Sequence, residues 1–324
     1  MAKEARRRQM KRILITGTAG FIGSHLAQRL HARGDEVIGL DNFNDYYPPK
    51  LKHDRKERLG AHGIEVIQGD VNDADLLDTL VQKHNISHFV HLAAQAGVRY
   101  SLVNPQAYLQ ANIAGFLSVL ETCRKYPQLR LTYASSSSVY GTNTKIPFSV
   151  NDRTDNPANF YGATKKTNEL MAHAYHHLYG FPVTGLRFFT VYGPWGRPDM
   201  AYFSFAKAIM ENKQIDVYNF GKMERDFTYI DDIIDGTVAA IDLESKCEIF
   251  NLGNCHPEAL TTLIELLESY LGKKALIRHL PIQPGEVLAT YAEIAHSQNM
   301  LGFSPKVSLA EGISKFVAWF LKYK

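Results

Sequence analysis

The chain has 324 residues, enough for one large core or for a core with a smaller lobe. Hydrophobic residues make up 45% and charged residues 21%, which excludes a disordered or fibrous chain and suits a globular enzyme. A net charge of +3 gives no case for a nucleic-acid partner. The basic start (Lys3, Arg6, Arg7, Arg8, Lys11, Arg12) has no apolar stretch behind it long enough for a signal peptide or a membrane span. Cys123, Cys247 and Cys255 show no metal-ligand spacing and suit a reducing compartment, so the expected location is cytoplasmic.

In chain order, KRILIT (Lys11 to Thr16) reads as a buried strand running directly into GTAGFIG, with glycines at 17, 20 and 23. An amphipathic helix follows with Phe21, Ile22, Leu26 and Leu30 on one face, ending near Gly34. Glycine is needed at such a turn because the backbone must come close to a pyrophosphate, which the free N–H groups of the helix start then bind. The second strand, EVIGL, ends at Asp41. A carboxylate there suits the ribose hydroxyls of NAD and repels the extra phosphate of NADP, with Asn42 beside it as a second ribose candidate. Residues 42–62 are polar and read as an excursion from the sheet. A third strand, IEVIQGD, ends at Asp70, where Asp70 and Val71 would meet the adenine; a surface turn explains Asp70 equally well. Residues 75–84 read as a helix, and the next strand, ISHFVHLAAQAGV, ends in small residues that leave room for a cofactor. His91 within it reads as a satisfied core histidine.

Two long helices follow, at 106–125 and 160–179, each with more apolar surface than one sheet face needs. The surplus is core or a helix-pair homodimer interface. His173 and His177 have zinc-like spacing but no third ligand beside them, so no metal is expected. Between the two helices lie LRLTYA and four serines, Ser135 to Ser138. Tyr161 and Lys165 stand four apart on the second helix, and so on one face. An ammonium near a phenol favours phenolate, which makes the tyrosine a base near neutral pH. Alone this spacing also fits a surface lysine beside a half-buried tyrosine; the glycine-rich turn upstream favours the catalytic reading. After the strand FPVTGLRFF comes TVYGPWGRPDM, a glycine- and proline-rich binding loop containing Arg197. A helix (201–211), the strand-like IDVYNF, and GKMERDFTYIDDIIDG, where Arg225 precedes a short strand, lead to a helix at 260–271. The loop PIQPGEVLATYAE and a terminal helix close the chain. The fold class is therefore α/β, a doubly wound parallel sheet of the Rossmann type with a smaller C-terminal α/β lobe and the ligand between them. We divide the chain at 1–186 and 187–324, with the second part free to re-enter the first domain.

These residues resemble the extended short-chain dehydrogenase/reductase superfamily (the NAD-dependent epimerases and dehydratases), and within it the UDP-glucuronate 4-epimerases, from about residue 12 to residue 322. The general motifs are TGTAGFIG, Asp41, HLAAQAGVRYS, ASSSSVYG, YGATK and RDFTYIDD; the more particular ones are LDNFNDYY, PFSVND, NELMAH, GLRFFTVYGPWGRPDM, MERDFTYIDDI and PIQPGE. Four positions depart from the family: Asn159 and Phe160 in NFY, where serine and leucine are more usual before the tyrosine, Gly162 where alanine is usual, and Glu286 where aspartate is usual.

The resemblance implies a catalytic set of Tyr161, Lys165 and Ser136. It implies NAD held by Gly17, Ala19, Gly20, Phe21, Ile22, Gly23, Asp41, Asn42, Asp70, Val71, Leu92, Ala93, Ala94, Gln95 and Asn112, with Tyr161 and Lys165. A UDP-sugar would lie against Ser136, Ser137, Ser138, Thr190, Arg197, Arg225 and Glu286, the arginines on the diphosphate and Glu286 on the uridine ribose. Each of these charged residues also fits a surface ion pair. The related 4,6-dehydratases carry Asp and Glu after the hydroxyl residue, and the UDP-glucuronate decarboxylases carry a Glu before Val-Tyr-Gly. Here Ser137 and Ser138 stand instead, which favours UDP-glucuronate 4-epimerisation over either activity. We expect Ser137, Ser138 and Thr190 to fix the sugar carboxylate; satisfying strand-end backbone groups is an equal reading of the two serines. The rival functions are a UDP-glucose or UDP-N-acetylglucosamine 4-epimerase, a decarboxylase, and a non-catalytic NAD-binding regulator.

Overall fold

The computed structural model describes residues 10–243, 245–282 and 288–323. The strand–helix alternation runs β1 (Arg12–Thr16), α1 (Phe21–Ala32), β2 (Glu36–Asp41), α2 (Lys50–Gly60), β3 (Glu65–Gln68), α3 (Ala74–Lys83) and β4 (His88–His91). Next come α4 (Tyr100–Val103), α5 (Pro105–Tyr108), a π-helical turn, α6 (Gly115–Lys125), β5 (Arg130–Ser136), α7 (Phe160–Tyr179) and β6 (Val183–Phe188). After β6 follow β7 (Thr190–Tyr192), α8 (Ala201–Met210), β8 (Gln214–Tyr218), β9 (Glu224–Tyr229), α9 (Ile230–Asp242) and β10 (Cys247–Leu252). The chain closes with β11 (Pro257–Ala259), α10 (Leu260–Leu271), β12 (Leu276–Leu280), β13 (Ala289–Thr290), α11 (Ala295–Leu301) and α12 (Leu309–Lys322).

Seven strands form one parallel sheet in the order β10-β6-β5-β4-β1-β2-β3. The order reverses between β1 and β4, which opens a crevice at the carboxyl ends of the strands. Alternation along β1 splits the core in two. Ile13 and Ile15 join Leu26 and Leu30 of α1 and Ile233 of α9, whereas Leu14 joins Leu77 of α3 and Phe116 of α6. The smaller lobe pairs β11-β9-β13, with β7 also on β9, and separately β12 with β8. Asp226, fully buried, pins that lobe by accepting from Cys255 N at 3.1 Å, Ala292 N at 3.0 Å and Thr228 Oγ1 at 2.8 Å.

Four features differ from the sequence reading. The polar excursion contains α2, whose buried face carries Lys52 and Arg55 beside Leu51 and Leu59, so hydrophobic periodicity does not reveal it. The helix expected over 106–125 is interrupted by the π turn Leu109–Ala114, where Asn168 Nδ2 reaches in to Asn112 O at 2.6 Å. Residues Cys247–Leu252, not foreseen as a strand, form the sheet edge beside β6. Arg225 lies within β9 and does not precede it. Among the described residues no helix is long and apolar enough to cross a membrane.

Candidate active site

The glycine-rich turn folds as its sequence requires. Gly17 has φ +75°, and a Cβ there would lie 2.7 Å from Ala93 N, so only glycine lets β1 and the end of β4 approach this closely. No side chain caps the start of α1, which leaves its N–H groups facing the crevice. Asp41, 8% exposed, accepts from Ala19 N and Phe43 N, both at 2.9 Å. Burial pushes its carboxyl up, while these N–H groups and the charges of Lys52 and Arg55 pull it back. Asp70 is tied to its neighbours: Asn42 Nδ2 donates to it at 2.8 Å and Asn72 N at 2.9 Å. Against some burial, those bonds hold its carboxyl below the usual value.

A cavity of about 250 Å³ runs along this crevice. Gly17, Gly20, Phe21, Ile22, Gly23, Asp41, Asn42, Asp70, Val71, Leu92, Ala93, Ala94 and Gln95 line it, and Ser136, Tyr161 and Lys165 close its inner end. The turn, the uncapped helix start and a carboxylate at the end of β2 form a donor set that fits a dinucleotide of the NAD type. Two expected contacts sit behind the wall. Ala19 turns its N–H to Asp41 and its carbonyl to Arg55. Asn112 accepts from Gln95 N at 2.8 Å and donates to Thr164 Oγ1 at 3.0 Å, bracing the end of β4 against α7.

A second cavity, about 550 Å³, opens on the other side of the Ser136–Tyr161 pair. Ser137, Ser138, Thr190, Arg197 and Arg225 are on its wall; Glu286 lies outside the described residues. Ser136, Tyr161, Arg197, Tyr46, Met200, Phe188 and Phe189 belong to both cavities. Ser136 Oγ accepts from Ser138 N at 3.2 Å and so caps the turn that follows β5. The hydroxyls of Ser137 and Ser138 carry no such duty among the described residues. Gly162 matters here: a Cβ on it would sit 2.5 Å from Ser138 O, so glycine lets this turn rest on α7. Among the described residues the acidic ones on the wall are Asp199 and Asp216, each paired with an arginine, Arg197 and Arg278.

Tyr161 packs edge-on against Tyr108, with ring centroids 6.0 Å apart. Among the chain's own groups, burial outweighs the rest and pushes the phenol up, while a hydrogen bond with Ser136 and the charge of Arg197 pull it down. The expected depression of the phenol therefore does not follow from the protein alone. Lys165, 2% exposed, donates to Ala134 O at 3.0 Å, and burial lowers it to about 8. The sequence reading missed Lys52, whose Nζ donates to Asn44 O at 2.6 Å beside Asp41, and Tyr46, whose OH donates to Asp199 Oδ2 at 3.2 Å. Lys52 had no signal beyond the density of basic residues in the excursion, whereas Tyr46 lies in the motif LDNFNDYY, which pointed to the family but to no role for that residue. His91 is a core residue hydrogen-bonded to Thr16 Oγ1 at 2.9 Å. His173 and His177 are exposed, and among the described residues no cluster could hold a metal.

Lys165 yields a stability test. The unfolded chain holds this proton up to the ordinary 10.5, the folded chain only to about 8. Below pH 8 the buried ammonium therefore costs about 3 kcal/mol of folding free energy, and the cost fades as pH rises to 10.5. Lys165→Met should raise the denaturation midpoint at pH 7, with the gap to the parent protein closing above pH 8. Equal midpoints at pH 7 would show that the ammonium is not strained.

Residues 13–253 match the family model described as the NAD dependent epimerase/dehydratase family. The chain is 50% identical to UDP-glucuronate 4-epimerase 4 of Arabidopsis thaliana over 331 residues, covering 96% of this chain and 75% of that one. Protein CapI of Staphylococcus aureus is 46% identical, covering 96% and 99%. Among solved structures, the UDP-glucuronic acid 4-epimerase from Bacillus cereus, in complex with UDP-glucuronic acid and NAD, superimposes with a TM-score of 0.89. That match is 36% identical over 97% of this chain and all of the other. Similarity over nearly the whole length, with the glycine-rich turn and the Ser136, Tyr161 and Lys165 side chains in place, makes the chain a member of the NAD-dependent epimerase/dehydratase family.

Proposed function

We propose that this protein is an NAD-dependent UDP-sugar 4-epimerase that interconverts UDP-glucuronate and UDP-galacturonate. The observation that carries the reading is the meeting of two cavities at Ser136 and Tyr161, with serines on the sugar side and both wall carboxylates already paired with arginines. Elimination of water would need a carboxylate beside Ser136, and none of the described residues supplies one. The relatives named above support the uronate as substrate.

In this reading Tyr161 takes the proton of the sugar 4-hydroxyl, and Ser136 holds the same oxygen by a hydrogen bond. NAD, held along the first cavity, would supply an acceptor and then a donor for the hydride of carbon 4, so nothing would be consumed overall. Lys165, held on Ala134 O, faces the same cavity, and the positive charge of the chain that acts on the phenol is that of Arg197. The 4-keto sugar turns about its diphosphate, presents its other face, and recovers its proton from Tyr161. Arg197 and Arg225 hold the diphosphate, and Arg225 remains fixed by donating to Leu288 O at 3.2 Å.

A 4-keto uronate is a β-keto acid, which loses CO₂ when its carboxylate bond stands perpendicular to the ketone plane. Ser137, Ser138 and Thr190 prevent that orientation by hydrogen-bonding the carboxylate. The active form is a homodimer through the two long helical segments, 106–125 and 160–179, where Leu109, Leu117, Phe160, Leu170 and Leu178 are exposed.

Incubating the purified protein with UDP-glucuronate and following it by proton NMR should show UDP-galacturonate without net NADH. Turnover of UDP-glucose or UDP-N-acetylglucosamine alone would move the substrate assignment, and inertness on all three would support a regulator. In the same spectra Ser138→Ala and Thr190→Val should release more UDP-pentose per epimerisation; an unchanged ratio removes the carboxylate role. Light scattering at assay concentration should return twice the chain mass, and a monomer mass refutes the dimer.

A further inference from the structure

Arg55 is a fully buried cation on α2, a helix that the proposed chemistry does not use. Each of its five N–H donors has a partner. Nε and Nη2 donate to Trp195 O at 3.1 and 2.6 Å, Nη2 also to Gly196 O at 3.0 Å, and Nη1 to Ala19 O at 3.0 Å and Tyr47 OH at 2.8 Å. None of these acceptors is a carboxylate. A buried guanidinium held by neutral carbonyls is a costly arrangement, retained where its fork must fix a particular backbone geometry.

The geometry it fixes is unusual. Trp195 has φ +60°, a left-handed conformation rarely adopted by a bulky residue. Its ring is held on both sides, by Arg58 at 5.3 Å and by Trp319 and Tyr323 with centroids 5.4 and 5.3 Å away. Gly196 is equally confined, since a Cβ there would strike Tyr202 OH at 1.7 Å. The next residue is Arg197, which lines both cavities.

We propose that Arg55 is a positioning residue: it locks the left-handed turn at Trp195 onto the glycine-rich turn at Ala19 and so aims Arg197 into the sugar-nucleotide cavity. The proposal rests on Arg197 as a diphosphate-binding residue. One guanidinium thus joins the carbonyl behind the cofactor turn to the backbone that carries the substrate-side arginine. Lysine cannot replace it, because one ammonium cannot reach carbonyls at residues 19, 195 and 196 together.

The test is a double-mutant cycle on the NAD-loaded enzyme with Arg55→Lys, Arg197→Lys and the pair, reading kcat, KM for UDP-glucuronate and bound NAD. Arg197→Lys should raise KM about tenfold and Arg55→Lys about fivefold, with NAD content nearly unchanged and any fall in kcat smaller than the rise in KM. The pair should be no worse than Arg197→Lys alone, because Arg55 acts through Arg197. Multiplying effects, or a lowered melting temperature with KM intact, would overturn the proposal and leave Arg55 a structural staple. An unchanged KM in Arg197→Lys would instead remove the diphosphate reading on which the proposal stands. If Arg55→Lys does not fold, Tyr47→Phe removes one acceptor and no charge; a KM rise of about twofold, again absent in the Arg197→Lys background, supports the proposal, and an independent rise overturns it.

Discussion

The site depends on one buried ion pair. Glu169 on α7 and Arg187 on β6 meet at 2.8 and 2.9 Å with almost no solvent contact. Ser135 Oγ donates to the same carboxylate at 2.7 Å, and Arg187 Nη1 donates to Tyr140 OH at 3.0 Å. Tyr140 in turn donates to Asn251 Oδ1 on β10 at 2.6 Å. Three neighbouring strands and the helix that carries Tyr161 and Lys165 are thus held in one register. Breaking such a pair costs about 3–5 kcal/mol, although an apolar replacement of similar shape is often as stable. Its value here is therefore geometric. A one-residue slip of β5 would turn Ser136 to the opposite face of the sheet from the one Tyr161 meets.

Burial then sets the electrostatics. The phenol of Tyr161 is pushed up and the ammonium of Lys165 down, so the protein alone disfavours both charged forms. Two groups of the chain oppose this at the phenol, the Ser136 hydroxyl and the Arg197 guanidinium. Near neutral pH such a site holds a protonated phenol beside an ammonium lowered only to about 8, and the phenol responds strongly to any further positive charge placed beside it, because screening is weak there. That suits a base which must accept a proton only when both ligands are in place.

Much of the fold was legible because its signals are local. The glycine-rich turn, the acidic end of β2, the alternation of strands and helices, and the full span of α7 all follow from spacing within a few residues. The parts that were not legible depend on distant partners. A buried cation on α2, satisfied by carbonyls 36, 140 and 141 positions away, looks in sequence like one more basic residue in a polar stretch. At the π turn the carbonyl of Asn112 is met by Asn168, 56 residues away. Residues Cys247–Leu252 are a strand because β6 lies beside them, with little periodicity of their own. The serines of the run line the second cavity, and which of them caps the turn is visible only in the geometry, where Ser136 takes that duty.

That division of labour among the serines bears on how the proposed reaction avoids losing CO₂. A hydroxyl already satisfied by backbone would have little to offer a carboxylate, yet Ser137 and Ser138 keep theirs for the cavity. Hydroxyls suit the task better than an arginine fork would. They restrain an anion from several directions without drawing away the charge that develops on the neighbouring ketone oxygen, which Ser136 must stabilise. The absence of a side chain at Gly162 allows their turn to sit directly on α7, only one residue from Tyr161. In the proposed reading the base and two of the three carboxylate restraints, Ser137 and Ser138, therefore share one corner, while Thr190 reaches the cavity from β7. A displacement of Tyr161 would carry the Ser137–Ser138 turn with it, so in that reading base and serine restraints keep their spacing.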